Sequence, residues 1–414
     1  MQTGGRHILK RLLTASIVLL FLTGESFSLT WQEAQALLKQ NNNELRSAKK
    51  QLDSSSWTYR RAYGALLPQL SANLSAGQSS VSTAAATSSY SYGLNANLDL
   101  FNSSDYYNLR SAYVNYQYNE ANYKLNEAGI LYTVRQAFID LLIAQENVDL
   151  RKKILKQRQD NGSLIELRYD SGVENKGNLM QTKADEANAK YNLSSAQRDL
   201  GLAKLKLSQL LGAQIALVEE DLKFTASAQQ DYDLLTSGAP DYLAAKYQLE
   251  SADVQRQSTL SGFLPSVSLS GSYRKSGSSW PPSTDSNSVS FNVSYSLFPG
   301  GTNFIDKIIY DLNYDKARED FEKSRKDTRY NIVQAYEKYA DALEALEISK
   351  GYLAAALERS EIAQSQYING LITYDEWSRI EDSYISAQSN LLNSQKSALS
   401  ANAAWQKSYG GYVK

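Results

Sequence analysis

"SVSFNVSYSLFPGG", residues 288 to 301, alternates almost without a break. Val289, Phe291, Val293, Tyr295 and Leu297 are apolar or aromatic, and Ser288, Ser290, Asn292, Ser294 and Ser296 are polar. A period of two places the two sets on opposite faces of one strand. Such a strand belongs either to the edge of a soluble sheet or to a membrane, and the rest of the chain must say which solvent the apolar face meets.

The pattern occurs twice. "SYGLNANLDLF" (91 to 101) puts Leu94, Ala96, Leu98 and Leu100 on one face and Gly93, Asn95, Asn97 and Asp99 on the other. It precedes "SVSFNVSYSLF" (288 to 298) by the same offset of 197 that separates "LLPQLSANLSAG" (66 to 77) from "FLPSVSLSGSYR" (263 to 274). Farther on, "RQAF" and "VQAY", "RYDSG" and "QYING", and "LLG" and "SYG" keep an offset of 198. One inserted residue over about 145 positions marks an internal duplication.

Each repeat is expected to hold a helix, two strands and two long helices. Residues 29–212 form the first repeat, with strands about 69–78 and 90–101 and a helical hairpin about 104–212. Residues 240–414 form the second, with strands about 266–275 and 288–298 and a hairpin about 302–410. Helices over 31–65 and 242–262 lead into the strands, and Pro68 and Pro265 mark the change. The polar stretches 78–89 and 275–287 read as exposed hairpin loops, and 213–239 as an irregular linker.

After residue 104 the apolar period changes. Leu131, Val134, Phe138, Leu141, Val148 and Leu155 follow three- and four-residue steps, interrupted by Gln145 and Lys152, and Ile380, Tyr384, Ala387, Leu391, Ser394, Ala398, Ala401 and Trp405 do the same near the carboxyl end. As helix, 104–168 would run about 95 Å at 1.5 Å per residue. The reversals fall at Gly172 and Gly370.

The amino terminus has the layout of a secretory signal peptide over 1–28: Arg6, Lys10 and Arg11, then apolar 12–22, then small residues around Phe27. Removing those three basic residues and Glu25 from the 43 basic and 44 acidic side chains leaves a net charge of about minus three, with no basic field for nucleic acid. The chain has no cysteine, hence no lipoprotein acceptor, and its single histidine, His7, lies in the leader. Ser/His/Asp and Cys/His nucleophilic sites and the usual zinc ligand sets are thereby excluded from the exported part. No phosphate loop or spaced catalytic motif is present, so no enzyme and no cofactor are expected. The uncharged stretches beyond the leader, 62–98 and 286–305, are rich in Ser, Asn and Gly and not apolar enough for a spanning helix, so any membrane entry must be by strands.

Four membrane-length strands cannot close alone, because the smallest such barrels need about eight. Open edges in hydrocarbon would leave backbone groups unpaired, so several chains must share one barrel. Two chains would give eight strands with a nearly filled interior, and three would give twelve with a wider lumen. Asn95, Asn97, Asp99, Ser290, Asn292 and Ser294 would face water, and Leu94, Leu98, Val289, Phe291, Val293 and Tyr295 would face lipid. The 29 tyrosines suit interfacial rings, although many must pack in helices.

With its leader, its duplicated halves, "LLPQL" and "FLPSV" before hairpins, "SLFPGG" (296 to 301) at a strand exit and the paired turns "RYDSG" and "QYING", the chain resembles the TolC-type outer-membrane efflux proteins. The resemblance implies a mixed α and β membrane protein: a homotrimer whose twelve-stranded β-barrel stands on a long α-helical barrel. It also implies an outer-membrane location in a Gram-negative bacterium, a periplasmic adaptor, and an inner-membrane transporter of RND, ABC or MFS type. The function implied is a passive exit duct for efflux or type I secretion.

By the same resemblance the hairpin turns are periplasmic tips where the adaptor docks and the channel is gated. Carried over by position, the tips are Arg168, Tyr169, Gly172 and Val173, with Gln366, Tyr367, Gly370 and Leu371. The gate falls at Asn178, Tyr367, Asp375, Glu376 and Arg379. Family members with a well-defined constriction place two acidic residues a helical turn apart after the second tip, where this chain has Glu376 and Arg379. The position two after the tip glycine, basic in those members, is Ile372, and the first-repeat partners are Gly177 and Asn178. A ring of Glu376 would select cations unless Arg379 neutralises it as an i,i+3 pair, and a solvated surface ion pair is the alternative.

Two other readings remain at this point: a non-conducting structural or adhesive envelope protein, and a soluble periplasmic adaptor built on a coiled-coil hairpin. The polar strand face argues against a scaffold, which needs no pore. An adaptor would extract without detergent.

Overall fold

A computed structural model describes residues 28–81, 84–220 and 230–412. The expected signal peptide lies outside the described residues except for Ser28. In chain order the elements are β1 (Ser28–Leu29), α1 (Trp31–Asn41), α2 (Asn43–Ala62), β2 (Gln69–Val81), β3 (Ala84–Phe101), α3 (Ser103–Asp170), α4 (Lys176–Leu211), β4 (Leu217–Val218), α5 (Tyr232–Gly238), α6 (Pro240–Ser258), β5 (Ser266–Gly277), β6 (Thr284–Ser294), α7 (Thr302–Ile368) and α8 (Tyr374–Ser408). The chain divides into two compact units. One holds residues up to 43 with 130–228 and 336–404, and the other holds 44–129, 229–335 and 405 onward.

The first unit is helical, and its core follows the expected seam in α3 but only in part in α8. Leu131, Val134, Phe138 and Leu141 of α3 and Ala398 of α8 are buried, whereas Ile380, Tyr384, Ala387, Leu391, Ser394 and Ala401 are half-buried and Leu392, Leu399 and Ala403 take the inward places. Leu155 is only half-buried, because Ile154 beside it takes the inward place. A straight helix of 3.6 residues per turn drifts off a seven-residue repeat in this way.

Gln145, an intruder in the apolar pattern, is a backbone clamp. Its side-chain amide donates to the Val218 carbonyl and accepts from the Val218 N–H, each at 2.9 Å, while β4 pairs in parallel with β1. Arg135, 7% exposed, forms an ion pair with Glu220 at 2.6 Å and lies 4.8 Å from the Trp31 ring and 5.6 Å from Phe138. Breaking a buried pair strands its partner at a cost of about 3 to 5 kcal/mol. Arg135→Ala is expected to destabilise the protein by an amount in this range, read as a lower midpoint in chemical denaturation in detergent.

The second unit contains one four-stranded antiparallel sheet, in the order β2-β3-β5-β6. Its strands depart from expectation in three places. The loop expected at 78–89 is mostly strand, because "QSSVSTAAATSS" has no Gly or Pro to stop the ladder, and Gln78 pairs with Ser88 and Ser79 with Thr87. The second loop shrinks to 278–283, where Pro281 and Pro282 do interrupt pairing. The strand expected to reach 298 ends at Ser294, opposite Ser266, and the preceding Pro265 has no N–H with which to extend the ladder. Tyr295 therefore lies beyond β6.

Two helical expectations also change. The helix over 31–65 is broken by the extended Asn42, whose side chain donates to the Leu210 carbonyl at 2.9 Å, and it ends in a 3-10 turn over Tyr63–Leu66. The linker 213–239 contains β4 and α5, while its residues 221–229 lie outside the described residues. No helix among the described residues is long and apolar enough to cross a membrane.

Candidate functional site

Both hairpin reversals are built alike. After α3, Gly172 takes a φ of 74°, and the Val173 N–H reaches back to the Arg168 carbonyl at 2.9 Å; after α7, Gly370 takes 72°, and the Leu371 N–H reaches Gln366 at 2.9 Å. These are left-handed Schellman closures, which favour glycine. Asn175 caps α4 by accepting from the Asn178 N–H at 2.9 Å, and Thr373 caps α8 by accepting from Glu376.

Between the reversals sits an aromatic cluster within the first unit. Tyr367 and Trp377 stack at 4.6 Å with 3° between their planes, and Tyr374 meets both rings edge-on. Ile165, Leu179 and Ala363 complete the buried cluster. The Arg168 guanidinium lies 4.7 Å from the centre of the Tyr367 ring and donates to the Ile368 carbonyl at 3.1 Å.

The Tyr367 hydroxyl donates to Glu174 Oε2 at 2.5 Å, and the other carboxylate oxygen accepts from the Asn175 N–H and from Asn178 Nδ2. Thr182 and Tyr374 share a hydrogen bond at 2.9 Å between the same two hairpins. Two polar atoms here, Trp377 Nε1 and Arg168 Nε, are buried without a hydrogen-bond partner among the described residues.

Burial alone would raise the Glu174 carboxyl, but the Tyr367 hydroxyl, the Asn175 N–H, the Asn178 amide and the Arg168 charge outweigh it and hold the group below its ordinary value. The Tyr367 hydroxyl is pushed upward, first by burial and then by its bond to Glu174. It therefore remains a donor across the physiological range.

The predicted site residues are distributed unevenly. Tyr169, Gly172, Val173, Gln366, Gly370 and Leu371 are exposed on the reversals, and Arg168 is half-buried. Tyr367 is only 2% exposed, so within one protomer it presents no surface to a channel or a partner. Asp375, Glu376 and Arg379 are exposed, but the expected Glu376–Arg379 pair does not form, since Arg379 Nε donates to the Asp375 carbonyl at 3.2 Å. Sequence reasoning missed Glu174, Thr182, Tyr374 and Trp377. The aromatic spacing 367, 374, 377 across the reversal was a signal for the last two, and nothing local marked Glu174.

In the second unit the register sorts the sheet into two faces. Leu70, Leu74, Leu94, Leu98, Leu269, Val289, Phe291 and Val293 share one face. Asn73, Asn95, Asn97, Asp99, Ser270, Ser290, Asn292 and Ser294 share the other, where Asn95 donates to Asn73 at 3.2 Å. The two sets therefore segregate by face across all four strands, while Leu100 falls in a bulge and Tyr295 lies beyond β6. The apolar face is open, with Val289 81% and Phe291 64% exposed. A bulge between Asp99 and Phe101 puts Phe101 opposite Val267 in place of Leu100.

Along the chain, strands of a two-faced antiparallel sheet alternate with helices of 68 and 67 residues. The model of the outer membrane efflux protein family matches residues 34–213 and 232–411, so the chain belongs to that family of outer-membrane channels. It is 26% identical over 251 residues to the alkaline protease secretion protein AprF of Pseudomonas aeruginosa, covering 52% of this chain and 50% of that one. It is 20% identical over 284 residues to the probable outer membrane lipoprotein SilC of Salmonella typhimurium, covering 64% and 59%. The matches thus span about half to three-fifths of these relatives' lengths.

Among solved structures, CusC superposes with a TM-score of 0.83 at 18% identity over 92% of this chain and 91% of that one. The open state of MtrE of Neisseria gonorrhoeae gives 0.81 at 20% identity over 93% and 89%. VceC of Vibrio cholerae gives 0.79 at 21% identity over 92% and 96%. These likenesses concern the fold.

Proposed function

We propose that the chain is the outer-membrane exit duct of a tripartite efflux or type I secretion system. Three copies complete one twelve-stranded barrel above a helical barrel, and substrates arrive from an inner-membrane pump through a periplasmic adaptor. The observation that carries this reading is the sheet: two faces of opposite chemistry, and end strands β2 and β6 that each lack a second neighbour among the described residues. Along β3, from Tyr90 to Phe101, the apolar face runs about 36 Å at 3.3 Å per residue. Tilted by about 40°, that is close to the ~25 Å apolar band of outer-membrane barrels. The adaptor has an apolar landing at the reversals, where Leu167, Val173 and Leu371 are exposed.

Gating on this reading is the separation of the two reversals, held closed by the Tyr367–Glu174 bond and the aromatic stack. A carboxylate with a lowered native pKa contributes its full stability above its unfolded pKa of about 4.3 and loses it as the pH falls through the native value. Acidification below about pH 4 is therefore expected to raise conductance, and Glu174→Gln to flatten that response.

Planar-bilayer recording of the purified protein tests the duct itself. Discrete channels are expected, larger once the reversals are loosened. Silence from both the native protein and a loosened variant would overturn the reading. A deletion strain challenged with antibiotics, dyes, metal salts and exported proteins would identify the cargo.

A further inference from the structure

Followed through the register, the polar face of the sheet carries only two ionisable side chains among the described residues, Asp99 near the helical end and Arg274 near the loop end. Asp99 pairs with Ser268, six residues from Arg274, a separation of about 20 Å along the strand. That is roughly twice the Debye length at physiological salt, so the two charges act independently. The neighbouring Lys275 points to the other face, where Asp285 neutralises it at 3.3 Å.

Arg274 has no such partner. Its Nη2 donates to Ser91 Oγ at 2.8 Å, and no carboxylate lies within ion-pair distance among the described residues. The side chain is seated by the strand beside it. Gly93 stands opposite Arg274, and a Cβ there would lie 3.2 Å from the Arg274 Cα and 2.5 Å from the Tyr273 carbonyl oxygen. The missing side chain lets the guanidinium cross to Ser91, which is 4% exposed. One of the five guanidinium N–H donors is used in this way, and the exposed remainder keep its charge and its fork geometry.

We propose that Arg274 is an anion-binding residue of the lumen, forming with its two symmetry copies a guanidinium ring just inside the outer mouth. The proposal rests on the trimeric duct reading, which brings three copies to one level. The ligands are carboxylate, sulfonate or phosphate groups on departing cargo, taken by the planar donor fork. Rings of like charge set selectivity in pores. This ring favours anionic cargo at the exit and repels cations that enter from outside.

The test uses inorganic tripolyphosphate, added to the compartment facing the hairpin loops while single channels are recorded. The native protein is expected to show voltage-dependent block. Arg274→Gln, which keeps a donor for Ser91, should need at least tenfold more tripolyphosphate, and Arg274→Glu should abolish the block. Lys275→Gln removes an adjacent positive charge on the opposite face and should leave the block unchanged. Equal block in the native protein and Arg274→Gln, an equal loss in Lys275→Gln, or open channels with no block at all would each overturn the ring. Absence of any current would instead overturn the duct on which it depends.

Discussion

Tyr367→Phe is expected to open the proposed duct. The substitution keeps the ring stacked on Trp377 and removes only the hydroxyl that reaches Glu174. A hydrogen bond to a charged group contributes about 1.5 to 3 kcal/mol, so the closed-to-open ratio should fall by about 10- to 150-fold. Single-channel recordings should show larger and longer openings than the native protein. Tyr367→Phe combined with Glu174→Gln should add little further, since both remove one interaction. Trp377→Ala, which removes the stack itself, should open the channel and also lower stability. If Tyr367→Phe conducted like the native protein while Trp377→Ala opened, the latch would lie in the aromatic packing alone.

The second large effect is expected in the membrane. Phe291 sits near the middle of the apolar face on β6, and its neighbour Asn292 sits on the polar face. Arginine at a lipid-facing midplane position costs about 2 to 4 kcal/mol, and the proposed trimer would bear that cost three times. Phe291→Arg should therefore deplete the protein from the outer-membrane fraction, whereas Asn292→Arg should assemble and alter only conductance. Equal tolerance of the two would return this segment to a soluble sheet.

Much of this was legible in the chain because alternation and heptad-like spacing are local signals. Val289 to Val293 declared two faces from the sequence, and the pairing of β5 with β6 keeps them. What was hidden depended on partners distant in sequence. The extra strand over 78–81 and 84–89 exists because Gln78 and Ser79 find Ser88 and Thr87, not because of any apolar pattern. Gln145 read as a flaw in a seam, yet it clamps Val218, which no helical period reports.

At the candidate gate the visible residues were the exposed charges Glu376 and Arg379, which make no ion pair with each other. The interaction that joins the hairpins runs from Tyr367 to Glu174, 193 positions apart, and a single sequence carries no sign of such a pair. Arg274 was likewise unremarkable until the register showed the polar face to be otherwise almost uncharged.

On the proposed reading, three chains close one barrel through the end strands of their sheets. The chain has no cysteine, so introduced thiols report without background. Cysteines placed at Ser71, Asn73 or Ser75 on β2, each combined with one at Ser288, Ser290 or Asn292 on β6, scan the possible registers between neighbouring chains. In at least one pairing, oxidation in intact cells should yield a ladder of monomer, dimer and trimer that stops at trimer. A ladder that stops at dimer, or pairings that cross-link only within one chain, would rule out a barrel shared by three chains.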